Sequence, residues 1–125
     1  MLRKNLISIS VAAVIMYLSL TGSDSFSRLK IPIIPFLDKI VHTAMYFALM
    51  LSLIFENRMI IGTLRSYSIL GTIPFIYGSL IELLQIVFTT DRQGDILDIL
   101  FNLTGIILAI FFWKILKIFM RNASK

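Results

Sequence analysis

SILGTIPFIYGSLIELLQIVF-TTDRQGD-ILDILFNLTGIILAIFFW, residues 68–113, decides the fold. Two apolar runs, each about 20 residues long, flank a short polar segment containing Gly94. At about 1.5 Å rise per residue, a helix of that length crosses a hydrocarbon layer of about 30 Å. Neither run alternates as a strand does, and lipid offers no partner to an unmade backbone hydrogen bond, so each is read as a helix. Four polar side chains interrupt this hairpin: Glu82, Gln85, Asp98 and Asn102. A charge near the bilayer centre costs roughly 2.5–3.5 kcal/mol, so such residues persist where they are paired, wetted or used.

Two further apolar stretches lie upstream. The predicted spans are 6–21, 38–55, 68–88 and 96–113, within a single domain covering residues 1–125. The fold class is therefore all-α, an integral membrane four-helix bundle. Composition agrees, with 58% hydrophobic residues and a mean hydropathy of +0.90. Without cysteine, disulfides and thiolate metal sites are excluded. The single histidine, His42, excludes a multi-histidine zinc site within one chain.

Orientation follows from the basic residues. With both termini inside, Arg3, Lys4, Arg58, Arg65, Lys114, Lys117, Arg121 and Lys125 are cytoplasmic, against Arg28, Lys30, Lys39 and Arg92 outside. The net charge of +5 is then a topology signal and an attraction for anionic lipid, with no nucleic acid implied as partner. Lys114, Lys117 and Arg121 share a helical face beside Phe111, Phe112 and Trp113, the pattern of a helix leaving the bilayer through an aromatic belt. Arg3 and Lys4 ahead of an apolar run, with Thr21-Gly22-Ser23 after it, also suit a cleavable signal peptide, although three later spans make an uncleaved first helix the simpler account. Pro32 and Pro35 cannot continue a helix, so the segment 24–37 is expected to lie extended at the outer interface, over the polar residues.

Spacing places the polar residues together. Asp38, His42 and Tyr46 recur every four residues and form one stripe on the second helix. Asp95, Asp98 and Asn102 form another on the fourth, while Glu82 and Gln85 share a face of the third, Glu82 lying about 9 Å below the outer surface. All fall in the outer halves of helices 2–4, and Lys39 and Arg92 flank them. Structural roles compete with this reading. Asp38 and Asp95 stand where helices begin and suit N-caps, Asp98 suits a capping arrangement, and His42 and Tyr46 suit helix packing. Glu82 has no capping role in mid-helix, and an isolated carboxylate there would have to protonate or find a cation.

The ordered set Asp38-Lys39-x-x-His42-x-x-x-Tyr46, Tyr77-Gly78-x-x-x-Glu82-x-x-Gln85 and Arg92-x-x-Asp95-x-x-Asp98-x-x-x-Asn102-x-x-Gly105 resembles the VanZ-like membrane proteins. The likeness runs from about Asp38 to Gly105. It departs at Thr89-Thr90-Asp91, where a Pro/Gly-type turn is expected. The resemblance implies a small multi-pass protein of the bacterial cytoplasmic (inner) membrane, in a family whose founding member is associated with low-level teicoplanin resistance. Resistance does not transfer by family alone.

The residues suggest an outward-facing cavity that handles a lipid headgroup or lipid-linked cell-wall precursor. His42, Glu82 and Asp38 are the candidates for proton transfer. Lys39, Tyr46, Gln85, Arg92 and Asn102 are the candidates for substrate binding, with Arg92 and Lys39 suited to phosphate or carboxylate. Asp95 and Asp98, with Glu82 as a further donor, are the candidate ligands for a divalent cation. Two alternatives use the same residues. One is a non-catalytic network that sets helix packing or binds an antibiotic or protein partner; the other is proton or ion transport. Transport is the weaker, because no polar residue of the cluster continues into the inner halves of the helices.

Overall fold

The computed structural model describes residues 2–20, 37–88 and 96–125. Among them there are helices and no strands. A short 3-10 turn, Leu2–Asn5, leads into α1 (Leu6–Leu20), followed by α2 (Leu37–Glu56), α3 (Leu64–Phe88) and α4 (Ile96–Ala123). Three of these, over Lys39–Glu56, Leu64–Val87 and Ile96–Ala123, are long and apolar enough to cross a membrane. The α1 helix is equally apolar but shorter, at 15 residues.

The helices pack through stripes that repeat at three and four residues. On α2 the buried stripe runs His42, Tyr46, Leu49, Met50, Leu53 and Ile54; on α4 it runs Asp98, Asn102, Gly105, Ile106, Ala109 and Trp113. Both stripes change chemistry halfway, from polar near the helix start to apolar near the end. The α3 stripe does the reverse, running from Tyr67 through Gly71, Pro74 and Gly78 to Ile81, Glu82 and Gln85. Because α3 runs antiparallel to α2 and α4, the polar halves meet at one end of the bundle and the apolar halves at the other. The outward faces carry Ile69, Ile73, Ile76, Leu80, Leu83, Ile107, Leu108 and Phe111, the surface expected against lipid tails.

Small residues decide how closely the helices approach. A Cβ on Gly105 would overlap the Thr43 carbonyl oxygen and stand 3.0 Å from the Phe47 nitrogen, so α4 crosses directly on the α2 backbone there. A Cβ on Gly78 would stand 2.8 Å from Tyr46 Cε1 and 3.0 Å from Asn102 Nδ2, which puts α3 against both neighbours at the level of the polar cluster. Thr43 reinforces the α2–α4 contact: its hydroxyl donates to the carbonyls of Lys39 at 3.0 Å and Phe101 at 3.3 Å.

Side chains from α3 hold α1 in place. Tyr77 donates its hydroxyl to the Ala12 carbonyl at 2.5 Å, and Gln85 donates its amide to the Ser19 carbonyl at 2.8 Å. Both partners advance along their helices together, so α1 and α3 run parallel. At the opposite end from the polar cluster, the Glu56 carboxylate accepts hydrogen bonds from the Ile7 amide at 2.7 Å, the Ser8 amide at 3.2 Å and the Ser8 hydroxyl. A negative group thereby meets the unsatisfied N–H groups at the start of α1, where the helix dipole also favours it. Glu56→Ala removes this cap, and its expected cost is about 1–2 kcal/mol. Unfolding of the purified protein in SDS, followed by fluorescence of the single tryptophan, measures it.

Helix boundaries follow local caps. The α3 helix begins at Leu64, four residues before the expected span, because Thr63 and Ser66 cap it reciprocally: the Ser66 amide donates to Thr63 Oγ1 at 3.2 Å and the Thr63 amide to Ser66 Oγ at 3.0 Å. The α4 helix continues ten residues past Trp113 to Ala123. Its basic residues there are good helix formers that mark the edge of a membrane rather than the end of a helix. The α1 helix begins where the expected span 6–21 does, and α2 extends one residue beyond the expected span 38–55 at each end.

Candidate functional site

The polar end of the bundle is built from the first turns of α2 and α4 and the last turns of α3. His42 projects from α2, Glu82 from α3, and Asp98 and Asn102 from α4. These side chains are 2%, 3%, 7% and 2% exposed, so four polar groups share a site almost closed to solvent. That burial requires partners.

His42 Nδ1 lies 3.1 Å from Asn102 Oδ1 and 3.9 Å from Glu82 Oε1. An imidazole N–H facing an amide oxygen donates to it, which assigns the Nδ1 proton and fixes the ring plane. Lys39 Nζ donates to Asp98 Oδ1 at 3.1 Å, closing an ion pair between α2 and α4. The ammonium also sits 5.9 Å from the centre of the Phe101 ring, within reach of a cation–π attraction. One nitrogen of His42 and one carboxylate oxygen each from Glu82 and Asp98 all lie within 4.8 Å of one another. Three helices thus contribute a compact set of one imidazole and two carboxylates.

Of the residues read from the sequence, His42, Glu82, Asp98, Asn102 and Lys39 come together. Tyr46 is buried one turn along α2, against Gly78 and beside Asn102. Gln85 is buried too, with its amide nitrogen on the Ser19 carbonyl of α1, so at least part of its hydrogen bonding serves helix docking. Arg92 and Asp95, the side chain of Asp38, and the segment 24–36 lie outside the described residues.

Two contributors escaped the sequence reading. Thr43 links α2 to α4 through the Phe101 carbonyl, yet a threonine in an apolar helix gives no pattern that singles it out. Glu56 caps a helix 48 residues away in the chain, and no local spacing reports a contact at that distance. Asp98 was grouped with Asp95 because they share a helix face; the fold sets Asp98 beside His42 and Glu82, which only tertiary packing reveals.

Chemically, the arrangement offers a cation in Lys39, an imidazole in His42 and two carboxylates gathered at one bundle end. Below it, the buried positions on α2 are Leu49, Met50, Ser52, Leu53 and Ile54 and on α4 Ile106, Ala109 and Trp113, a largely apolar floor in which the Ser52 hydroxyl donates to the Leu49 carbonyl at 2.7 Å.

Comparison with known proteins adds the family. The family described as VanZ/LLP1 matches residues 3–117, nearly the whole chain. No curated protein and no solved structure matches. The polar set on α2, α3 and α4 and the extent of this match lead to the same conclusion: the chain is a membrane protein belonging to the VanZ/LLP1 family.

Proposed function

We propose that this protein handles the polar headgroup of an envelope lipid or lipid-linked cell-wall precursor at the outer leaflet of the bacterial cytoplasmic membrane, which it crosses several times with both termini inside. The observation that carries this reading is the gathering of His42, Glu82, Asp98 and Lys39 at one end of an otherwise apolar bundle. A phosphorylated headgroup is a ligand whose charge belongs at that end while its tail lies along the lipid-facing helices. Lys39 supplies a compact positive charge for phosphate or carboxylate, with Arg92 as the proposed second cation. His42 beside Glu82 supplies an imidazole able to pass a proton to or from a bound headgroup.

The apolar floor supports handling at one face over transport, since a proton or ion path needs polar groups or water across the remaining depth. A second reading draws on Gly105 and Thr43, whose close contacts show that the same end also sets helix packing. On that reading the polar network is a non-catalytic fastening, or a surface for an antibiotic or protein partner.

Mass spectrometry of lipids and lipid-linked intermediates tests the proposal in cells lacking the protein, cells carrying it, and cells carrying Glu82→Gln at equal membrane abundance. The expected result is one lipid species that accumulates in the first and third and not in the second. Glycopeptide susceptibility of the same three strains is the matching phenotype, given the family. Three coincident profiles at equal abundance would remove the lipid-handling reading and leave the packing or partner-binding one.

A further inference from the structure

We propose that His42, Glu82 and Asp98 together hold one first-row divalent cation of the Zn²⁺ or Mn²⁺ class. The inference rests on reading this end of the bundle as a ligand-handling site, and it replaces the Asp95–Asp98 pair suggested by spacing with a ligand set drawn from three helices.

Distances come first. Metal–nitrogen and metal–oxygen bonds of about 2.0–2.2 Å set neighbouring ligand atoms about 3 Å apart and opposite ones about 4.3 Å apart. Here one nitrogen of His42 and one carboxylate oxygen each of Glu82 and Asp98 lie within 4.8 Å of one another. Ligand atoms on one ion stand closer than that limit, so binding draws the three side chains inward. Side-chain rotation supplies such a shift without moving a helix.

The donor set selects the ion. One imidazole nitrogen with two carboxylate oxygens suits the borderline metals of the first row, whereas calcium and magnesium sites are built from oxygen alone. Two negative charges match a divalent cation, and Lys39 beside Asp98 then leaves the described side chains of the site net positive toward an arriving phosphate.

Asn102 is the independent observation. Its carbonyl holds the imidazole at 3.1 Å, the way ligating histidines are oriented by a neighbouring acceptor. The other end of the same amide, Nδ2, is buried with no hydrogen-bond partner among the described residues. It stands over Gly78, one helical turn from Glu82, where a Cβ would come within 3.0 Å of it. A buried amide nitrogen without an acceptor keeps its desolvation cost uncompensated. Water carried on the ion, or an oxygen of the anion it binds, is the acceptor that fits.

Ion binding is tested on the full chain, purified in detergent with a histidine-free tag, stripped with chelator and given no added lipid. Equilibrium dialysis against Zn²⁺ and Mn²⁺ with elemental analysis is expected to find one ion per chain. His42→Ala, Glu82→Gln and Asp98→Asn are each expected to weaken binding at least ten-fold. Lys39→Met is expected to tighten it, because the ammonium competes for Asp98; unchanged or weaker binding removes Asp98 from the ligand set. The chain has a single histidine, so X-ray absorption of the zinc-loaded wild type reads His42 without any variant that must fold. One imidazole among oxygen ligands supports the site; no stoichiometric ion, or an ion held without imidazole, overturns it. Since no lipid takes part, a negative result here leaves the cellular lipid profile free to support headgroup handling. Coincident lipid profiles likewise leave the ion site standing.

Discussion

Replacing Gly105 by alanine will lower the stability of this protein by about 3 kcal/mol, the upper end of the usual cost of overpacking. The added Cβ would overlap the Thr43 carbonyl oxygen and crowd the Phe47 nitrogen. Both are backbone atoms of α2, so no side-chain rotation relieves the clash and the helices must separate. Separation also lengthens the hydrogen bond from Thr43 to the Phe101 carbonyl and pulls Asp98 away from Lys39, since all these contacts cross the same interface. Gly62 is the control. Nothing lies within 4 Å of a Cβ at that position, so Gly62→Ala should change stability by no more than about 0.5 kcal/mol. SDS unfolding measures both variants. Trp113 is the single tryptophan, buried and packed edge-on to Phe55 at 6.5 Å, so its fluorescence reports the same α2–α4 contact at the far end of the interface. Equal midpoints for Gly105→Ala and the wild type would mean that the two helices do not meet there.

The Gly105 contact also shows where sequence reading stops. Helices were legible because apolar runs of bilayer length have few other solutions in lipid, and α1, α2, α3 and α4 lie where those runs do. The stripe His42–Tyr46 and the pair Asp98–Asn102 were legible because a four-residue spacing places side chains on one face whatever the tertiary fold. Which stripes face each other was not. Gly105 could be read as permitting close approach, but that it meets Thr43 depends on the crossing of α2 and α4, which no local pattern encodes. Gln85 illustrates the same limit: it shares a face with Glu82, yet its amide reaches α1. Spacing along a helix fixes direction to within about one residue's arc, and at that width two neighbouring helices are equally good partners. The α4 helix runs past the predicted span for a different reason. Hydropathy reports where lipid ends, whereas a helix ends where its backbone hydrogen bonds do, and Lys114, Lys117 and Arg121 interrupt only the first.

The second large effect lies in the pair Lys39–Asp98. Both side chains are largely buried, with relative exposures of 15% and 9%, and the bond between them is 3.1 Å. Removing one member of a buried pair strands the other charge at a cost of about 3–5 kcal/mol; the residual exposure of Lys39 lowers the expectation to about 2–3 kcal/mol for Lys39→Met. Asp98→Asn should cost less, about 1–2 kcal/mol, because Lys39 is long enough to carry its ammonium toward the headgroup region once released. Lys39→Met/Asp98→Asn should then be more stable than the sum of the single losses implies, with a coupling of about 1–2 kcal/mol, since no charge remains stranded. An exposed pair would behave otherwise, with coupling below about 1 kcal/mol and removed by salt. The cycle, measured by SDS unfolding at low and high salt, therefore separates a buried fastening between α2 and α4 from a surface ion pair. Additive single losses would mean that Lys39 and Asp98 do not stabilise one another.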